Sequence, residues 1–440
     1  MNEAQNINGA KSYERTQVNI KRGMNLQIGA PPASMIDSEK SVTSAALLGS
    51  DFNGVKFDVL ADEGTRIKAG EPLLRDRHRP EIVFTAPLSG NVTAVTRGAR
   101  RALQSVRVTA NHESEAVKFD IPSTIGMHDM RDLMLRSGLW TTLRARPFGR
   151  IPNPDSEPKA LLVTAIDTDP LAPDPAFVIG EYANKFALGL DAIQKITDAP
   201  LYVCQRPGLD LPVRASEQVR IAEFHGPHPA GLPGTHIQSL CAIGFESAEA
   251  WHISYQDVIS VGHLMETGRP WFTRVVSLAG PAVHNPRLLS VPLGACIDDL
   301  VAAELRDGAV RVISGSVLSG HMAFGAAAYL GQRHHQITAL PEANGAQRSW
   351  WDRSVFDTDL GGEHGPLIPT GDYEAVAPPG ILPVPLLRAL LVGDTERARE
   401  LGALELVEED LSLLSVVCPS KTDYGPLLRH VLDELHKEGR

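Results

Sequence analysis

Cysteine is scarce: four residues in 440, at positions 204, 241, 296 and 418. Their wide separation excludes a disulfide framework and a zinc knuckle, so reduced thiols are the default. Long apolar runs are missing as well. The best candidate, ILPVPLLRALLV at 381–392, carries two prolines and Arg388 and falls short of the about 18 apolar residues that cross a bilayer. The N-terminal MNEAQNINGAKSYERTQ lacks the apolar core of a secretory signal, and residues 1–17 read as a flexible tail of a cytosolic protein. Positive charge is in deficit: 42 basic against 53 acidic side chains leave −11, which disfavours nonspecific nucleic-acid binding, because that requires a basic surface. Aromatic residues make up only 5%, while 38 glycines and 32 prolines without collagen periodicity call for many turns and short strands. With 440 residues and 43% hydrophobic content the chain can bury several cores, and three or four domains are expected.

Charge is uneven. Residues 64–107 hold nine Lys/Arg against Glu71, Asp76 and Glu81, whereas 394–410 hold seven acids against Arg397 and Arg399. Two readings follow: solvated faces, or docking against the Lys/Arg-rich cytoplasmic loops of a membrane partner.

Between 55 and 110 short β-runs alternate with turns, in the pattern x-E-G-x-x-I-x-x-G-x-x-L followed by A-P-x-S-G-x-V. This resembles the barrel of biotinyl and lipoyl carrier domains, whose hairpin tip bears a modified lysine. Here the tip is RDRHRPE, and no lysine occurs between Lys68 and Lys118. Arginine stays charged and cannot be acylated, so the scaffold is present without its swinging arm. FGRIPNPDSEP at 148–158 reads as a linker. Beyond it the strand ALLVTAI, an amphipathic helix over 174–196 and the strands LYVC and RIAEF imply a parallel, Rossmann-type sheet. TRVVSLAG, CIDDLVAAEL and AVRVISGSVLSG look like a β-grasp unit, and helices are expected at about 381–391, 395–401, 407–415 and 425–437.

The stretch FHGPHPAGLPGTHI at 224–237 follows a strand, where open α/β sheets carry functional loops. Its histidines 225, 228 and 236 lack a coordination set beyond Glu223, and Gly226, Gly231 and Gly234 do not match a dinucleotide fingerprint. Prolines 227, 229 and 233 stiffen the loop, and a preformed contact loop is expected. GSVLSGHM has Gly315 and Gly320 at P-loop spacing, but His321 and Met322 replace the lysine and hydroxyl that a nucleotide triphosphate needs. No hydrolase elbow, metalloprotease helix or glycine-rich fingerprint occurs. A C-x₂-C-x₂-C-x₃-C-P template laid on Cys418-Pro419 puts Glu408, Leu411 and Leu414 at the other ligand places. The same template on PLIPTGDYEAVAPPG meets Leu367, Thr370, Tyr373 and Ala377. These side chains cannot ligate iron, so a cluster is excluded at both.

NIKRGMNLQIGAP, FTAPLSGNVTAVTRGARRALQSV, SGLWTTLRARPF, PDSEPKALLVTAIDT, GPHPAGLPGTHI, RVISGSVLSG and CPSKTDYGPLLR together resemble the A subunit of the Na⁺-translocating NADH:quinone reductases, over nearly the whole chain. That family is similar to the C subunit of the Rnf complex, which carries two cysteine motifs where this chain has leucine, tyrosine and alanine. The resemblance implies an α/β multidomain chain: a tail at 1–17, a barrel-sandwich hybrid domain at 18–120, a linker at 121–157, a Rossmann-like domain at 158–255, a β-grasp domain of SLBB type at 256–340, and a C-terminal helical domain at 341–440. It implies a peripheral location on the cytoplasmic face of the bacterial inner membrane, in a six-subunit complex that uses NADH, FAD, FMN, riboflavin and Fe-S centres, reduces ubiquinone and exports Na⁺. This chain would bind none of those cofactors and would contact the membrane-embedded B subunit. His225, Gly226, His228, Gly231, Gly234 and His236 would form a quinone-proximal or partner-docking loop, a histidine donating to a quinone carbonyl or serving as a buried cap. The competing functions are an independent soluble NAD(H) oxidoreductase and a scaffold without catalytic part.

Overall fold

The computed structural model describes residues 15–111, 115–243, 248–342 and 366–439. The polar stretch expected near 342–365 lies almost wholly outside these residues.

The α/β unit has a six-stranded sheet in the order Thr16–Asn19, Val219–His225, Leu201–Gln205, Pro158–Ala165, Glu249–Ser254, Arg144–Arg146. The first five strands are parallel and the last is antiparallel. Leu161, Val163 and Ala165 join the core on one face, whereas Ala160 and Leu162 join the core on the other. Such two-sided burial is why ALLVTAI reads as an unbroken apolar run rather than an alternation. Helices Ala183–Ile193 and Tyr255–Thr267 pack together at backbone distance. A Cβ at Gly262 would fall 1.7 Å from the Lys185 carbonyl oxygen, and one at Gly189 would fall 2.0 Å from that of Val258. Gly262→Ala is therefore expected to cost about 1–3 kcal/mol by forcing the helices apart; an unchanged urea midpoint would contradict this contact.

Several expected boundaries move. Thr16–Asn19 is no tail: it adds a parallel strand beside Val219–His225, and Arg15 and Gln17 bind the buried Glu223 carboxylate at 2.8 and 2.9 Å. Ala33–Asp37 leaves the expected barrel to pair with Arg287–Pro292 of the β-grasp sheet. The barrel proper begins at Ser44–Leu48 and comprises a four-stranded and a three-stranded sheet. Residues 121–157 are not a linker. They hold helix Met127–Arg136 and strand Arg144–Arg146, with Trp140 fully buried edge-to-face on Trp251. Their proline-rich part looks exposed in sequence, yet its carbonyls accept from Trp140 Nε1 (Pro152), Arg131 (Pro154) and Arg79 (Ile151). The helix expected over 174–196 breaks at Tyr182 into Pro175–Glu181 and Ala183–Ile193. Tyr255–Thr267 packs with the α/β unit rather than opening the next domain.

The β-grasp sheet runs His321–Met322, Val310–Ser314, Gln336–Pro341, Thr273–Ala279, Arg287–Pro292, Ala33–Asp37. The C-terminal helices, Gly371–Val376, Pro383–Val392, Thr395–Glu400, Ser412–Val417 and Gly425–Lys437, close around their own apolar core. No described helix is long and apolar enough to cross a membrane.

Candidate functional site

The parallel sheet reverses its winding between Pro158–Ala165 and Glu249–Ser254, since the chain proceeds from the first to one side and returns with the second on the other. The carboxyl ends of strands at such a reversal leave a crevice. Here it is a cavity of about 170 Å³, lined among others by Thr164, Asp167, Asp169, His252, Tyr255 and Arg333. Through His252, Ser319, Arg333 and Glu409 it meets a wider cleft of about 560 Å³ between the α/β, barrel, β-grasp and helical units.

Two acids stand at the strand end in AIDTDP. Burial, followed by the charge of Asp169, pushes Asp167 up to about 8. Burial raises Asp169 to about 6, opposed by the Ser316 hydroxyl that donates to it at 3.3 Å. Burial raises Glu409 too, against the pull of Arg146. Arg144, 1% exposed, lines the cavity too, and among the described residues its guanidinium donates to the carbonyls of Thr141, Leu143 and Asp51. Burial and then Arg333 lower it to about 9. His252 is driven well below its ordinary value by burial and the nearby Arg146, Arg333 and Arg144, so its ring is neutral. The site therefore offers one carboxyl group, Asp167, as a proton carrier at neutral pH beside fixed hydrogen-bond donors.

Of the expected loop residues, His225 and Gly226 are exposed, while His228, Gly231, Gly234 and His236 are buried. His228 Nδ1 lies 3.1 Å from the Thr168 hydroxyl, and its backbone N–H donates to Asn25 at 2.9 Å. His236 Nε2 meets the Ala230 carbonyl at 2.9 Å. Both rings are lowered to about 4 by burial and cap backbone from within. The loop reaches the cavity through Gly231, Leu232 and Pro233 instead. Glycine is required at 234, where a Cβ would sit 2.3 Å from Asp410 Oδ1. The histidines that do line the crevice are His252, from the strand WHIS, and His334 and His335, and sequence periodicity gives none of them a mark. Asp167 and Asp169 had a signal: two acids directly after a buried strand.

The crevice does not suit a nucleotide or flavin phosphate, because the Asp169 carboxylate lines it and the Asp174 side chain already accepts from the first turn of Pro175–Glu181 at 3.0 Å. Nor do the ferredoxin-like stretches suit a cluster. Tyr373, Ala377, Leu411, Leu414 and Cys418 are buried in one core, with Leu367 packed against it. Cys418 Sγ lies 3.3 Å from the Tyr424 hydroxyl, Glu408 pairs with Arg429, and Thr370 starts a helix. The barrel tip is tied down as well: Arg79 bridges Asp76 and the Ile151 carbonyl. Among the described residues no cluster of metal-ligating side chains occurs.

A carrier-type barrel without its lysine, a Rossmann-like unit, a β-grasp sheet and a C-terminal helical unit define a class of multidomain α/β proteins. Family models agree domain by domain. They match the NqrA N-terminal barrel-sandwich hybrid domain at residues 18–111, the NqrA second alpha/beta domain at 126–270 and the NQRA C-terminal domain at 275–324. The A subunit of the Na(+)-translocating NADH-quinone reductase of Pseudomonas aeruginosa is 43% identical over 450 aligned residues, covering 96% of this chain and all of that one. Its namesakes from Neisseria gonorrhoeae and Rhodopirellula baltica are 43% and 38% identical, each over 96% of this chain. A solved NAD+-reducing NiFe-hydrogenase is similar over 49% of this chain and 47% of its own, at 15% identity and a TM-score of 0.36. The chain belongs to the family of Na(+)-translocating NADH-quinone reductase A subunits.

Proposed function

We propose that this chain is the cofactor-free, quinone-side component of its complex, seated on the cytoplasmic face of the inner membrane against the membrane-embedded B subunit. NADH oxidation and the FAD, FMN, riboflavin and Fe-S carriers belong to the other subunits, whose electron flow to ubiquinone drives Na⁺ export. The observation that carries this reading is the filling of both ferredoxin-like stretches by leucine, tyrosine and alanine side chains packed in one core. Thiolates are what hold iron, and of the template places only Cys418 carries a thiol, too few to hold a cluster. The purified full chain is expected to show no flavin or iron–sulfur absorbance in the visible. Stoichiometric flavin or iron in it would overturn the proposal.

A second observation favours a direct part in quinone chemistry. Reducing a quinone to a quinol takes two electrons and two protons. The electrons come from carriers on neighbouring subunits. For the protons, Asp167 is held in its acid form at neutral pH within a crevice that also carries His252, Arg144 and the Tyr255 hydroxyl. A quinone carbonyl has only lone pairs to offer, so such a set of donors orients it, and the neutral Asp167 carboxyl supplies one of the two protons, the other and its own reprotonation coming from water in the adjoining cleft. The exposed loop residues His225 and Gly226 face outward, where a partner protein can reach them.

A further inference from the structure

The hairpin joining strands Gly90–Arg97 and Leu103–Ala110 of the barrel closes on Gly98-Ala99-Arg100-Arg101-Ala102. The Ala102 N–H donates to Ala99 at 3.1 Å, and the Gly98 N–H donates to Ala102 at 2.8 Å. The two central residues both lie in the left-handed region, Arg100 at φ 52° and Arg101 at φ 60°. That is the geometry of a type I′ turn, in which Asn-Gly is the favoured pair and an L side chain with a full Cβ is strained. Two consecutive arginines occupy it here. Arg97 donates to the Arg101 carbonyl at 3.1 Å, which keeps a third guanidinium at the tip, and all three side chains are exposed.

Elsewhere on the barrel five basic side chains are neutralised: Arg66 and Lys68 by Glu115, Arg75 and Arg77 by Asp58, Arg79 by Asp76. Arg97, Arg100 and Arg101 have no carboxylate partner among the described residues, on a chain whose net charge is −11. The turn's apolar side chains are only Ala99 and Ala102, so it lacks the large buried anchor that a protein interface uses. Forked guanidiniums without an anchor suit a diffuse layer of phosphates. The chain has no described membrane-spanning helix and belongs to a family of membrane-pump subunits. We propose that this arginine turn docks on the anionic phospholipid headgroups of the bilayer, independently of the quinone reading.

The test is flotation of the full chain with vesicles of phosphatidylcholine, alone or with phosphatidylglycerol admixed, at low and high salt. Wild type is expected to float only with the anionic vesicles and to release at high salt, because exposed charge pairs are screened. Arg100→Asn/Arg101→Gly suits the turn better, so it should melt no lower than wild type, yet partition on the order of tenfold more weakly. Arg100→Lys/Arg101→Lys should keep most of the binding. Equal partition of the Asn/Gly variant and wild type would overturn the proposal, as would indifference to phosphatidylglycerol. An Asn/Gly variant that still binds vesicles but no longer co-purifies with membrane subunits would overturn it too, and assign the turn to an acidic protein surface.

Discussion

Arg146→Ala is expected to lower the free energy of unfolding by about 3–5 kcal/mol and to let the C-terminal helices come away before the rest of the chain melts. Arg146 is fully buried at the end of the edge strand Arg144–Arg146. It donates to Asp410 at 2.8 Å, to the Glu405 carbonyl at 3.2 Å and to Glu409 at 3.3 Å. Burial opposes the guanidinium charge, but Asp410 and Glu409 outweigh it and hold its pKa above the ordinary value. Asp410 in turn accepts from the Val407 N–H at 2.8 Å and sits over the bare backbone of Gly234. One guanidinium thus joins the edge strand, the proline-rich loop and the helical unit. Its loss strands the buried Asp410 carboxylate away from water. A denaturant melt followed by far-ultraviolet circular dichroism reads the effect, and an unchanged midpoint would sink it. Arg146→Met/Asp410→Leu is expected to recover much of the loss, because no buried charge is then left alone; a double variant as weak as the single would show that the pair is not the cause.

Asp167→Asn in the assembled complex is expected to slow quinone reduction about 100-fold, the usual scale for losing a positioned general acid. Electron transfer from NADH to an artificial acceptor reduced at the NADH-oxidising subunit should continue. The sign with pH follows from the raised value: Asp167 carries its proton up to about 8, so the wild-type quinone rate holds below that pH and falls as the pH rises through it. Asparagine has no such proton, and the fall near pH 8 should vanish with the rate. A variant with wild-type rate and pH profile would leave the chain a scaffold without a proton-donating part.

Much of the fold was legible because its signals are local. VKFDVLADEGTRIKAGEPLL and its sequel give the barrel through turn glycines at fixed spacing, and the helix expected over 425–437 is found at Gly425–Lys437. The absence of a lysine at the barrel tip, and of any cysteine but Cys418 at the template places in 367–377 and 408–418, needed only residue identity. The site was less legible. The histidines of 224–237 drew attention by composition, yet two of them turn inward, while His252 carried no signal and Arg144 lay in a stretch expected to be a linker. FGRIPNPDSEP carries the composition of a linker and serves as core, because the side chains of Arg79, Arg131 and Trp140 satisfy its carbonyls.

Residue identity and spacing alone were enough for the kind of domains, the replacement of all but one of the ferredoxin-type cysteines and of the acylated lysine, and the family, since each depends on which side chain stands at which place along the chain. Packing had to be seen before it was evident that the first strands are shared out between two other sheets, that Asp167, Asp169, Arg144, His252 and Arg333 meet in one crevice, and that Arg146 locks the helical unit in place. Arg146 and its partner Asp410 are 264 positions apart. Chain-distant pairing and the burial that shifts a carboxyl's proton affinity arise only when separate elements pack, and no local pattern encodes them.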